Sequence, residues 1–114
     1  MKNPFLSTLF FSLLLSLASA ASAQEASVTI LSPADGAKLN AMSQNKVTYE
    51  VMPGPKGDHT HLYVDGKEAA VLRQLKGSHT LETLAAGNRD ICIKVVNKGH
   101  TPIGVEKCVK VMVE

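Results

Sequence analysis

Short segments in which apolar and polar residues alternate recur along this chain, and turn-forming residues separate them. In residues 46–52, for example, Val47, Tyr49 and Val51 alternate with polar side chains. Alternation with a period of two puts each set of side chains on its own face of a strand, so the pattern predicts half-buried β-strands. The Asp-Gly pair that begins at residue 65 is typical of a two-residue β-hairpin turn.

Seven segments fit a strand pattern, and none makes a convincing helix. They are residues 28–31, 46–52, 59–64, 67–75, 78–84, 90–96 and 105–113. Residues 67–84 contain good helix formers, but Gly77 in their middle argues against one long helix. Short strands with regular turns predict an all-β fold, a seven-stranded immunoglobulin-like β-sandwich.

The beginning of the chain has the pattern of an export signal. Lys2 precedes a nearly unbroken apolar run at residues 5–17, and small residues follow at positions 21–23. We therefore predict a cleaved signal peptide at residues 1–23 and one immunoglobulin-like domain at residues 24–114. The apolar run is shorter than the roughly 20 residues that span a bilayer, so no stable membrane span is expected after cleavage. The expected location is the periplasm or the exterior.

Charge and composition do not favour a polyanionic partner. The chain has 12 Lys and Arg against 10 Asp and Glu, and it contains no Trp. Because no run of basic residues stands out, the sequence does not predict binding to nucleic acid or to an anionic membrane surface.

The two cysteines are expected to form a disulfide. Cys92 and Cys108 are the whole set, and an exported protein with one pair favours a bridge over free thiols or metal ligands. Pairing them directly across a hairpin also brings opposite charges together, which stabilises neighbouring strands. Those cross-strand pairs are Lys94 with Glu106 and Asp90 with Lys110.

The histidines are the sharpest functional signal. His59 and His61 occupy one face of a predicted strand, and His100 falls in the loop 97–104. In a seven-stranded sandwich we expect these residues and His79 at one pole, where loops commonly carry function. With Asp58 as an oxygen donor, they form a candidate site for copper or zinc, because both metals accept imidazole and carboxylate ligands.

Other interpretations remain open. The histidines can be ordinary solvated residues that bind nothing. The domain can also be a metal-independent interaction or structural module that binds an unknown periplasmic protein through an edge strand. An enzyme is not expected, since the sequence has no Ser-His-Asp, paired-carboxylate or zinc-hydrolase pattern, and no cofactor other than the metal is predicted.

Several motifs resemble a family of small periplasmic proteins of unknown function. They are Ser32-Pro33-Ala34-Asp35-Gly36-Ala37, Gly57-Asp58-His59-Thr60-His61-Leu62-Tyr63-Val64-Asp65, Leu84-Ala85-Ala86-Gly87 and His100-Thr101-Pro102, in that order. The resemblance covers nearly all of residues 24–114. It implies an exported β-sandwich and no particular activity.

The chain is more distantly similar to the CopC-like periplasmic copper carriers. The likeness lies in the early Pro-Ala-Asp-Gly segment and in the late strand that leads to His100 and Pro102. It implies that His100 is a copper(II) ligand. Those carriers also use a histidine at the mature N-terminus, whereas this chain would begin there with Gln24, so His59 or His61 would have to take that place.

Overall fold

The computed structural model describes residues 25–114, and the predicted signal peptide and Gln24 lie outside the described residues. These residues form eight strands and no helix, so none could cross a membrane as a helix. The strands are β1 (Ser27–Ser32), β2 (Lys38–Leu39), β3 (Lys46–Met52), β4 (His59–Val64), β5 (Lys67–Leu72), β6 (Lys76–Thr80), β7 (Gly87–Val96) and β8 (Pro102–Val113).

The strands form two sheets. One has three strands in the order β1-β3-β6, and the other has five in the order β2-β8-β7-β4-β5. All pairs are antiparallel except β2 with β8, which is parallel. The all-β, two-sheet prediction is therefore confirmed, but the prediction of seven strands is wrong for the described part of the chain. The additional strand is β2, whose two residues are too few to carry a periodic signal.

The core lies between the two sheets and follows the alternation in the sequence. Alternate side chains of β3, of the second half of β7 and of the last part of β8 point inward, and Leu62 joins them from β4. Burying each such side chain contributes about 1.5–3 kcal/mol before entropy losses. The inward residues of those three strands are Val47, Tyr49, Val51, Ile91, Ile93, Val95, Val109, Val111 and Val113.

The β7–β8 hairpin has the predicted register, and Cys92 is bonded to Cys108 across it. The register of this hairpin shifts between Lys94 and Val96. Gly104, with a φ of 92°, lies in the β8 segment opposite this shift, and glycine adopts such a backbone conformation without steric cost.

Candidate metal centre

His59 and His61 lie two residues apart on β4, so their side chains share one face of the five-stranded sheet. That face points away from the core, yet the two residues are only 1% and 4% exposed, respectively. The interpretation of the histidines as ordinary solvated residues is therefore wrong for His59 and His61. The reason is that β4 is an interior strand between β5 and β7, and a loop residue packs over both rings.

That loop residue is His100, in the turn between β7 and β8. Its backbone has a φ of 65°, an uncommon conformation for a residue with a side chain. Asn97 organises the turn, since its carbonyl oxygen accepts a hydrogen bond from the His100 N–H at 2.9 Å and its side-chain oxygen accepts one from the Thr101 N–H at 3.0 Å. The His100 ring packs edge-on against His59, with 4.6 Å between ring centroids.

Three ring nitrogens meet at this point. His59 Nε2 lies 3.2 Å from His61 Nε2 and 3.2 Å from His100 Nδ1, and the last two atoms are 3.0 Å apart. No other His, Cys, Asp or Glu among residues 25–114 belongs to this group of donors. The predicted site residues His59, His61 and His100 are therefore in mutual contact.

Carboxylates hold the far edges of the two buried rings. His59 Nδ1 donates a hydrogen bond to Asp58 Oδ2 at 2.9 Å, and His61 Nδ1 lies 2.7 Å from Glu68 Oε1. A neutral ring that donates from Nδ1 carries a lone pair at Nε2, so both Nε2 atoms present lone pairs to the same point. If all three rings are neutral, only His100 can carry a proton on the nitrogen that faces the other two. At most one proton is then shared among the three nitrogens, whereas a divalent cation accepts all three lone pairs.

Glu68 reaches His61 because β5 contains a bulge. The register runs from Leu62 opposite Ala70 to Tyr63 opposite Glu68, which leaves Ala69 as an extra residue. Without this insertion Glu68 would project from the core face of the sheet, because side chains alternate. Glu68 was not predicted as a site residue, and its one signal in the sequence is an acidic residue shortly after the Asp-Gly turn.

The remaining two candidate ligands lie differently from the prediction. Asp58 does not join the nitrogen cluster but supports the far side of the His59 ring. His79 is in the other sheet, opposite Val47. β3 runs from Val47 toward Met52 and the loop that leads to His59, so His79 lies toward the opposite end of the sandwich. The prediction of four histidines at one pole is therefore wrong for His79. β6 begins at Lys76, and His79 lies near the end of this strand that is far from the other three histidines.

The cluster continues into a polar strip on the same face of the sheet. Lys94, opposite His61, places its ammonium 4.5 Å from the ring centroid of Tyr63. Lys94 also faces Glu106 as predicted, yet no ion pair within 4.0 Å joins them in the described part of the chain.

Cys92 and Cys108 lie further along this face, and with both sulfurs in a disulfide they offer no thiolate to a metal.

Three histidine nitrogens with carboxylate support can bind a borderline divalent ion. Zinc is commonly held by imidazole nitrogens, and three-histidine sites leave a further position to a non-protein ligand. In proteins, a ligating histidine usually donates its other ring N–H to a carboxylate or carbonyl oxygen, and this hydrogen bond fixes the ring and makes the ligating nitrogen more basic. His59 and His61 both have this arrangement.

Comparison with known proteins identifies the fold. No family model and no curated protein match the chain. It is similar to the fibronectin(III)-like modules of CbhA from Clostridium thermocellum, with a TM-score of 0.65, 16% identity and coverage of 79% of this chain and 47% of that one. It is also similar to SGBP-B of the Bacteroides ovatus mixed-linkage glucan utilization locus, with a TM-score of 0.51, 18% identity and coverage of 76% and 24%. It is similar as well to an engineered protein, with a TM-score of 0.56, 17% identity and coverage of 82% of this chain and 21% of that one.

These matches establish a fibronectin-III-like β-sandwich. The chain spans less than half of each of these solved structures, and at these identities the likeness concerns the fold alone. The matches agree with the immunoglobulin-like architecture expected from the sequence, and they give no support to the CopC-like resemblance.

Proposed function

We propose that this protein is an exported, non-enzymatic β-sandwich that binds one divalent transition-metal ion through His59, His61 and His100. The observation that carries the proposal is the convergence of three nitrogens, each pair no more than 3.2 Å apart. The Asp58 and Glu68 contacts support it, since they leave the Nε2 lone pairs of His59 and His61 free for a cation.

Zinc fits this arrangement better than copper(II). Zinc–nitrogen bonds of about 2.05 Å give nitrogen pairs about 3.3 Å apart in a tetrahedron, close to the observed 3.0–3.2 Å. Three nitrogens in the plane of a tetragonal copper(II) ion would include one pair on opposite sides of the metal, about 4 Å apart. No pair in the cluster has that separation, so the site is suited to a facial, zinc-like geometry.

Export is the second part of the proposal. The Cys92–Cys108 disulfide supports it, because such bridges persist mainly in oxidising compartments. A periplasmic protein and a secreted one are both compatible with this chemistry. Catalysis is not proposed, since the role assigned to the three histidines is to hold the ion.

Zinc titration of the untagged protein, purified in its exported form, tests this proposal. By calorimetry against a competing chelator, we expect one ion per chain with sub-micromolar affinity. The His59→Ala/His61→Ala double variant should lose tight binding, and so should His100→Ala, whose exposed position makes it the safer variant for folding. His79→Ala is the matched control and should bind like the parent. Parent-like binding by His100→Ala, or an equal loss in His79→Ala, would refute the site.

A further inference from the structure

The His, Cys, Asp and Glu side chains of residues 25–114 supply three donors to this site, one fewer than a tetrahedral zinc-like ion takes. Within residues 25–114 the cluster consists of His59, His61 and His100 alone, whereas zinc is almost always at least four-coordinate in proteins. Asp58 and Glu68 cannot provide the missing donor where they stand. Each carboxylate binds Nδ1, on the edge of the ring away from the ligating Nε2.

The spacing of the nitrogens also places all three on one side of the ion. A triangle with edges of 3.0–3.2 Å has its centre only about 1.8 Å from each corner, which is shorter than a zinc–nitrogen bond of about 2.05 Å. An ion held by all three nitrogens would therefore stand to one side of them, and its remaining coordination positions would be directed away from the three rings.

Solvent and charge both favour an external ligand there. His100 is exposed, so the third edge of the site lies at the protein surface. Three neutral imidazoles leave the charge of the ion uncompensated by its direct ligands, and the two carboxylates act only from the far edges of the buried rings. An anion bound directly to the ion would gain a short-range attraction that neither carboxylate supplies.

We propose that the metal ion keeps at least one exchangeable coordination position, and that this position takes a small monodentate anion such as azide or a simple carboxylate. The inference rests on the proposed function, because it requires the ion to be bound by His59, His61 and His100. It adds to the proposed function that the bound ion can accept a further ligand from solution.

Cobalt(II) in place of zinc makes this position visible, since its visible absorption spectrum depends on its ligands. The cobalt-loaded, untagged protein is titrated with sodium azide and, separately, with sodium acetate, while dialysis measures the cobalt that remains bound. We expect a saturable spectral change with each anion and no loss of cobalt. The His79→Ala variant, titrated in parallel, should respond like the parent, and free cobalt in buffer gives the reference spectrum.

The outcomes separate the two proposals. A constant spectrum with cobalt still bound would mean that the protein closes the site itself, which would overturn the exchangeable position and leave metal binding intact. Release of cobalt in step with the spectral change would also overturn it, because the anion would then compete with the protein for the metal. Failure of the parent to bind cobalt or zinc at all would overturn both proposals.

Discussion

Replacing Glu68 with glutamine should weaken zinc binding about tenfold, which corresponds to about 1.4 kcal/mol. The carboxylate lies 2.7 Å from His61 Nδ1, and glutamine can keep an oxygen acceptor there while it removes the negative charge. Loss of a carboxylate partner of a ligating histidine typically costs about 10–100-fold in metal affinity. Because the Glu68 side chain is 49% exposed, water screens its charge, and the lower end applies. Glu68→Ala removes the acceptor as well and should approach the upper end.

Calorimetric zinc titration with a competing chelator measures this effect, and urea unfolding of the metal-free protein checks the fold. Glu50→Gln is the matched control, because Glu50 is 47% exposed and pairs with Lys76 at 3.4 Å in the other sheet. The control should bind zinc like the parent. If Glu68→Gln binds zinc within twofold of the parent, or if Glu50→Gln loses as much affinity, the assigned role of Glu68 is wrong.

Three further predictions concern stability, and urea unfolding checks each of them. Replacing Cys92 and Cys108 with serine should lower the unfolding free energy by about 3 kcal/mol, the value for a bridge that closes about 15 residues, and an unchanged midpoint would contradict this. Gly57→Ala should destabilise by about 1–3 kcal/mol, since its Cβ would meet backbone. Gly77→Ala, where the nearest atom belongs to a flexible side chain, should cost clearly less, and equal losses would refute the packing argument. Burial raises the pKa of Tyr49 above its usual 10.0, because the buried phenol resists ionisation. The stability that the neutral phenol contributes is therefore complete below pH 10.0 and is lost as the pH rises through the raised pKa. Tyr49→Phe should therefore flatten the alkaline fall in stability, and a parallel fall in both proteins would contradict it.

Much of the fold could be predicted because apolar and polar residues alternate along the main strands. The apolar residues of β3 and β7 occupy every second position, and these positions face the core. β2 could not be found this way. It is held beside β8 by backbone hydrogen bonds, including one from the Glu114 N–H to the Leu39 oxygen at 2.9 Å. Backbone bonds of this kind leave no periodic pattern in so short a segment.

The candidate site was predictable in part. The two-residue spacing of His59 and His61 was enough to put both rings on one face, and the hairpin turn was enough to bring His100 to the same end. The contact between Glu68 and His61 depends on the extra residue Ala69 in β5, and a bulge has no strong local signature. The burial of the two rings depends on the packing of His100 over them, which is a tertiary contact that spacing alone does not reveal.

X-ray absorption spectroscopy of the zinc-loaded protein counts the ligands of the ion and identifies their type. We expect three imidazole nitrogens and at least one light, non-imidazole donor, all at about 2.0–2.1 Å. Two or fewer imidazoles, or a sulfur ligand at about 2.3 Å, would contradict the assignment of His59, His61 and His100 as the metal centre.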